Sequence, residues 1–112
     1  GASAEIIGKG IARLLEQINQ YTDKMKVLVI SPIYLGEKVW QDGYDQEFSP
    51  ESVEVSKKLE LVYEKVAGKY GKRFMRAADY ASPSEADQEH MDGQSHKILA
   101  DAIYRKLEAE IL

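Results

Sequence analysis

The chain has 112 residues, of which 44% are hydrophobic and 30% are charged, as expected for one globular domain with one modest core. Its formal net charge of −4 argues against a nucleic-acid-binding protein that relies on a basic face, and its short lysine-rich stretches are interpreted as solvated helix faces. The absence of cysteine excludes disulfides, a thiol nucleophile and a cysteine-built zinc site.

The N-terminal segment shows no sign of membrane targeting. Residues 1–7 lack the basic region and the apolar core of a signal peptide, and no apolar run approaches the ~20 residues of a membrane span. A cytoplasmic protein that does not contact membranes is therefore expected. Residues 4–20 instead predict an amphipathic helix, because their apolar side chains recur with helical spacing and Ser3 can serve as the N-cap.

Residues 26–31 predict a strand, since four consecutive apolar residues, two of them valine, are typical of a strand that is buried on both faces of a parallel sheet. Residues 33–49 follow without a clear period. A segment of this length is long for a connection, and long loops are often functional. Its aromatic side chains Tyr34, Trp40 and Tyr44 are predicted either to contact a substrate or to pack the loop onto the core.

The second half of the chain repeats the pattern of helix and strand. Ser49-Pro50-Glu51 combines an N-cap, a proline at the first helical position and an early acid, and Gly71 suits the C-terminal cap of the same helix. Residues 73–78 predict a second strand, and Asp92 is placed to cap a final helix of about 18 residues.

This order of elements predicts an α/β fold in which the two strands pair in parallel through a right-handed crossover. Two parallel strands make a poor sheet, because each would leave one edge unpaired and such sheets are normally larger. We therefore expect about two strands and three helices that form half of a doubly wound domain. Either an N-terminal half is missing, or two copies pair their edges.

The loop between the second strand and the last helix carries the candidate chemistry. Asp87 precedes His90 by three residues, and His90 is one of only two histidines in the chain. A histidine suits proton transfer near neutral pH, and a nearby acid fixes its tautomer. No serine lies in a glycine-flanked nucleophile elbow, so the sequence offers a base and an acid but no convincing nucleophile.

The run from Ser82 to Asp92, followed by Ser95-His96 and a helix rich in alanine, isoleucine and leucine, resembles the final conserved block of SGNH hydrolases, the GDSL esterase/lipase family. The first ten residues look like the helix that follows the family's Gly-x-Asn-Asp block, and residues 27–32 look like its next core strand. The resemblance covers essentially the whole chain but only the C-terminal half of the family's domain.

The resemblance implies a three-layer αβα, flavodoxin-like fold, present over residues 1–112 as the C-terminal part of one domain. It implies an ester hydrolase with a Ser-His-Asp triad, in which His90 is the general base and Asp87 orients it. No cofactor is expected, and the substrate would be a small acylated molecule in contact with Tyr34, Trp40 and Tyr44. The serine and the oxyanion-hole residues would lie in the missing N-terminal half, so the fragment alone is predicted to be inactive.

The same residues also allow interpretations without a catalytic function. Asp87 and His90 could be an exposed acid and a histidine that merely precedes a helix, and His96 is predicted to pack or cap. A metal site from Asp87, His90, Asp92 and His96 matches no strong metal motif. The alternative function is a small non-enzymatic α/β module that self-associates through its strand edges. Under both functions the isolated chain is expected to form a homo-oligomer.

Overall fold

The computed structural model describes residues 3–111; Gly1, Ala2 and Leu112, which belong to the predicted domain 1–112, lie outside the described residues. Its helices are α1 (Ala4–Tyr21), α2 (Pro50–Lys69) and α3 (Gly93–Glu110). No helix within the described part of the chain is long and apolar enough to cross a lipid bilayer.

The three helices begin where their capping residues predict. The Ser3 hydroxyl accepts a hydrogen bond from the Ile6 amide at 3.2 Å, and the Asp92 carboxylate accepts one from the Ser95 amide at 2.7 Å. At the start of α2, Ser49 and Ser52 exchange side-chain and backbone hydrogen bonds in a capping box. These side chains satisfy amide groups that have no partner inside the helix.

The sheet consists of β1 (Leu28–Ser31) and β2 (Arg73–Arg76), which pair in parallel with Leu28 opposite Arg73 and Ser31 opposite Arg76. Both strands are two residues shorter than predicted. The predicted strand 73–78 is wrong after Arg76, because the chain turns there into a 3-10 helix, Ala77–Asp79. The amides of Tyr80 and Ala81 each donate to the Ala77 carbonyl at 3.0 Å, which takes this segment out of the sheet.

Helices cover both faces of the sheet. Successive side chains of a strand point to opposite faces, so each face has apolar side chains for a helix to bury. On one face Val29 packs with Leu15 of α1 and Ala67 of α2. On the other face Met75 packs with Leu99 of α3. The predicted three-layer α/β fold of two strands and three helices is therefore confirmed, and it brings the loops that follow β1 and β2 to the same edge of the sheet.

Candidate functional site

The loop from Ser82 to Asp92 is closed at its base by backbone contacts. The Ser84 amide donates to the His90 carbonyl at 2.7 Å, and Pro83 and Met91 form an isolated antiparallel bridge. Asp92 then caps α3. The loop is thus held between the end of β2 and the start of α3, which gives its side chains a defined orientation.

Asp87 and His90 form a direct pair inside this loop. His90 Nδ1 lies 2.8 Å from Asp87 Oδ2. The other carboxylate oxygen, Oδ1, accepts from the amides of Glu89 and His90, each at 2.9 Å, and from the Ser84 hydroxyl at 3.0 Å. Because both oxygens are occupied, the carboxylate cannot rotate freely. The contact favours the tautomer with its hydrogen on Nδ1, which leaves the lone pair of Nε2 free to accept a proton.

The electrostatics of the pair follow from these contacts. The amides of Glu89 and His90, together with the imidazole and Ser84, hold the pKa of the Asp87 carboxyl well below its usual range. The hydrogen bond to Asp87 raises the pKa of His90, and the charges of Asp87 and Glu89 act in the same direction. The His90 side chain is 78% exposed, so its ring is accessible to a group outside this chain.

The three predicted aromatic contacts lie in different places. Tyr44 and Asp87 line one open cleft of about 650 Å³, together with Glu89. The Tyr34 hydroxyl instead donates to both carboxylate oxygens of Glu60 on α2, at 3.0 Å each, and this hydrogen bond raises the pKa of Tyr34. Trp40 is 39% exposed, and neither it nor Tyr34 is among the described residues that line the cleft. The structure therefore brings Tyr44, but not Tyr34 or Trp40, to the cleft beside the pair.

Ser49, Ser84 and Ser95 have local structural roles. Ser49 caps α2, Ser84 donates to Asp87, and the Ser95 hydroxyl lies 3.5 Å from the Ser82 amide. Ser31 is fully buried. Among residues 3–111 no serine hydroxyl forms a hydrogen bond with the His90 imidazole, so the pair has no nucleophile of its own in the described chain.

The metal alternative finds no geometric support. Within the described residues, no group of three or more histidine, aspartate or glutamate side chains is arranged to hold a metal ion. The Asp92 carboxylate accepts a hydrogen bond from the Ser95 amide. The His96 amide donates to the Asp92 carbonyl at 3.0 Å, as part of the first turn of α3.

Two residues that sequence reasoning missed hold the loop in place. Gln88 lies between Asp87 and His90, is 5% exposed and has a φ of 62°. Gly36, in the loop after β1, donates its amide to the Gln88 carbonyl at 2.7 Å. A glycine in a long loop is common and does not by itself indicate a contact, and a glutamine near a histidine matches no known motif. Only the folded structure therefore shows that Gly36 and Gln88 are in contact.

Comparison with known proteins extends the structural result. No family model and no curated protein matches the sequence. One solved structure superimposes with a TM-score of 0.90 and 28% identity over 99% of this chain. A carbohydrate acetylesterase family member from Sinorhizobium meliloti matches with a TM-score of 0.81 and 21% identity over 96% of this chain. The aryl esterase of M. smegmatis matches with a TM-score of 0.78 and 20% identity, also over 96% of this chain.

In each of these comparisons the chain spans about half of the solved chain: 52%, 52% and 53% in the same order. The class that the fold defines is therefore an α/β arrangement found as one half of esterase structures. Solved structures that share this fold include the carbohydrate acetylesterase family member and the aryl esterase just described.

Proposed function

We propose that residues 1–112 are the C-terminal part of a single SGNH-hydrolase-like domain, and that the parent protein is a serine ester hydrolase. The observation that carries the proposal is the 2.8 Å contact between Asp87 and His90, in the loop that follows the second parallel strand. Ligands of open α/β sheets bind beyond the carboxyl ends of the strands. Structural similarity to half of several esterases supports the same assignment.

In the proposed reaction the serine comes from the missing N-terminal half. His90 Nε2 accepts the serine proton as the hydroxyl attacks the ester carbonyl, and the imidazolium then gives that proton to the leaving alkoxide. Asp87 keeps the ring oriented and stabilises its charged form. A water molecule, activated by the same nitrogen, releases the acid from the acyl-enzyme. The oxyanion donors would also lie in the missing half.

The proportions of the chain support an incomplete domain. The Cα radius of gyration is 15.3 Å, whereas about 13 Å is expected for a compact domain of this length. The accessible surface is 7530 Å², and a compact monomer of this mass exposes about 6,200 Å². A surplus of about 1,300 Å² is of the size that a docked partner half would cover.

The substrate would be a small acylated molecule. Tyr44 shares the cleft with Asp87 and is proposed to contact the acyl or leaving group. Substrate contacts by Trp40 and Tyr34 stay predictions; for Tyr34 the bond to Glu60 also supports a role in holding the loop on α2.

The test uses the full-length gene product with the region upstream of this chain. We expect it to hydrolyse a short-chain nitrophenyl ester, and His90→Ala to lower kcat/KM by about 100-fold or more, because the general base is lost. His96→Ala is the matched control, since His96 is also exposed, and should leave hydrolysis near the wild-type value. Hydrolysis that is unaffected by His90→Ala would contradict the proposal.

The alternative is a non-enzymatic module that self-associates. The surplus surface and the two-stranded sheet favour an association partner but do not require it to be the other half of an enzyme. The upstream reading frame separates the two functions: a Gly-Asp-Ser-like block within about 100 residues supports the hydrolase, and its absence supports the module.

A further inference from the structure

We propose that Gln88 is a positioning residue that locks the Asp87–His90 pair onto the loop after β1, so that the geometry of the pair depends on a contact between two loops. This inference rests on the proposed function, in which the orientation of His90 matters for proton transfer. It concerns a residue whose hydrogen bonds go to Gly36, Lys38, Ser84 and Glu85 and not to the imidazole.

The backbone of Gln88 is in a conformation that needs support. Its φ of 62° lies in the left-handed region, which is uncommon for residues other than glycine, asparagine and aspartate. Such conformations persist where the surrounding structure determines them, and they cluster at functional sites. Within residues 3–111 Gln88 is the only residue other than glycine with a positive φ, and it stands between the two members of the pair.

The backbone groups of Gln88 connect both loops. Its carbonyl accepts from the Gly36 amide at 2.7 Å, and its own amide donates to the Ser84 carbonyl at 2.8 Å. The Ser84 hydroxyl also donates a hydrogen bond to the Asp87 carboxylate. A displacement of Gln88 would therefore be passed to Asp87 through the chain and through Ser84.

The side chain repeats this connection. Its Oε1 accepts from the Lys38 amide at 3.3 Å, and its Nε2 lies 3.4 Å from the carbonyl and from a carboxylate oxygen of Glu85. A glutamine that is 5% exposed has its amide satisfied on both sides, as buried polar groups require.

Gly36 leaves no space for a larger residue at this contact. A Cβ built on Gly36 would lie 2.2 Å from Gln88 Oε1 and 2.8 Å from Gln88 Cβ. The next residue back, Leu35, donates its amide to the Ser56 hydroxyl of α2 at 3.0 Å, and Ser56 is itself buried. The loop that holds Gln88 is thus anchored to a helix, which makes it a firm support for the pair.

The experiment measures the His90 imidazole by NMR titration of the 112-residue chain, with His96→Gln used to assign the two histidine signals. In the wild type the hydrogen bond to Asp87 places the His90 pKa above about 6.5, the value of a free histidine. Gln88→Gly allows the positive φ but removes the side-chain bonds, and we expect it to shift the His90 pKa down toward about 6.5. Gln41→Gly is the matched control, since Gln41 is exposed in the loop after β1, and should not move it.

Gly36→Ala provides a second, independent variant, because it displaces Gln88 without changing it; the same downward shift of the His90 pKa is expected. If folded Gln88→Gly and Gly36→Ala keep the wild-type titration, the positioning role is wrong while the proposed function stands. If the wild-type His90 titrates near about 6.5, the pair itself is absent and the proposed function loses its support.

Discussion

At the residue scale, the Asp87–His90 pair is built almost entirely from neighbours in sequence. Asp87 accepts from Ser84, Glu89 and His90, all within three residues, and it is this local turn that aims its second oxygen at Nδ1. The raised pKa of His90 contributes stability that is present below about pH 6.5 and is lost as the pH rises through that pKa. The lowered pKa of Asp87 contributes stability that is present above about pH 3.9 and is lost at lower pH.

The proposed function also predicts how ester hydrolysis by the full-length protein depends on pH. Because the general base must be neutral, kcat/KM should rise with pH through the raised pKa of His90, above about 6.5. Asp87→Asn removes the carboxylate that raises this pKa, so the rise should move to lower pH, while the plateau falls by up to about 10⁴-fold. Asp101→Asn, the same change at an exposed position of α3, is the control and should leave the midpoint unchanged. Rate profiles with the same midpoint in wild type and Asp87→Asn would contradict this role of Asp87.

At the element scale, α1 and α2 pack closely against each other at Gly8. Gly8 is buried in α1, and a Cβ built there would lie 2.3 Å from Val62 Cγ1 on α2. Valine is β-branched and has few alternative rotamers in a helix, so it cannot easily yield. A Cβ built on Gly10, in the same helix, would meet no atom of another element within 4 Å. The two glycines therefore differ in packing but share the same helical backbone.

This difference predicts opposite effects of one substitution. Gly10→Ala should raise the free energy of unfolding by up to about 1 kcal/mol, because alanine is the better helix former. Gly8→Ala gains the same propensity but overpacks the helix contact, which typically costs about 1–3 kcal/mol. Urea unfolding of both variants measures the difference. Equal midpoints for the two variants would show that the helices can separate without cost.

At the scale of the whole molecule, the sheet is small and the shape is extended. Residues 3–111 form only two strands, so β1 and β2 each pair on one side alone. The chain extends 48 Å along its longest axis but 18 Å along its shortest. Parallel sheets are normally larger and covered on both faces. Helices cover both faces here, so the backbone groups without a strand partner lie at the two outer strand edges. Another half-domain or a second copy can add strands there.

The isolated chain should therefore self-associate and lack esterase activity. Light scattering at increasing concentration should show a mass above that of the monomer, because surplus surface of about 1,300 Å² is enough for a stable contact. Under the proposed function, adding the separately produced upstream half should replace this association with a one-to-one complex that hydrolyses an ester. A compact monomer at high concentration would contradict the prediction of self-association.

Much of the fold follows from local sequence. Ser3, Ser49 and Asp92 mark the helix starts because each cap bonds an amide only a few residues away, and such local contacts can be predicted from spacing. The Asp87–His90 pair is equally local. The strand ends were predicted less well, since the bonds that turn the chain at Ala77 compete with sheet pairing in a way that apolar patterning does not show.

By itself the sequence determined the helix starts and the acid–histidine pair, because these depend on residues that are close along the chain. It also determined the parallel α/β order, because a strand, a crossover helix and a second strand imply parallel pairing even though the paired residues are far apart along the chain. Only the tertiary structure decided that Gln88 and Lys38, 50 residues apart, support that pair together, that Gly36 must lack a side chain, and that Tyr34 bonds Glu60 outside the cleft. These contacts join segments that the crossover helix brings together in space. The spacing of side chains along the sequence does not predict which loops will be in contact.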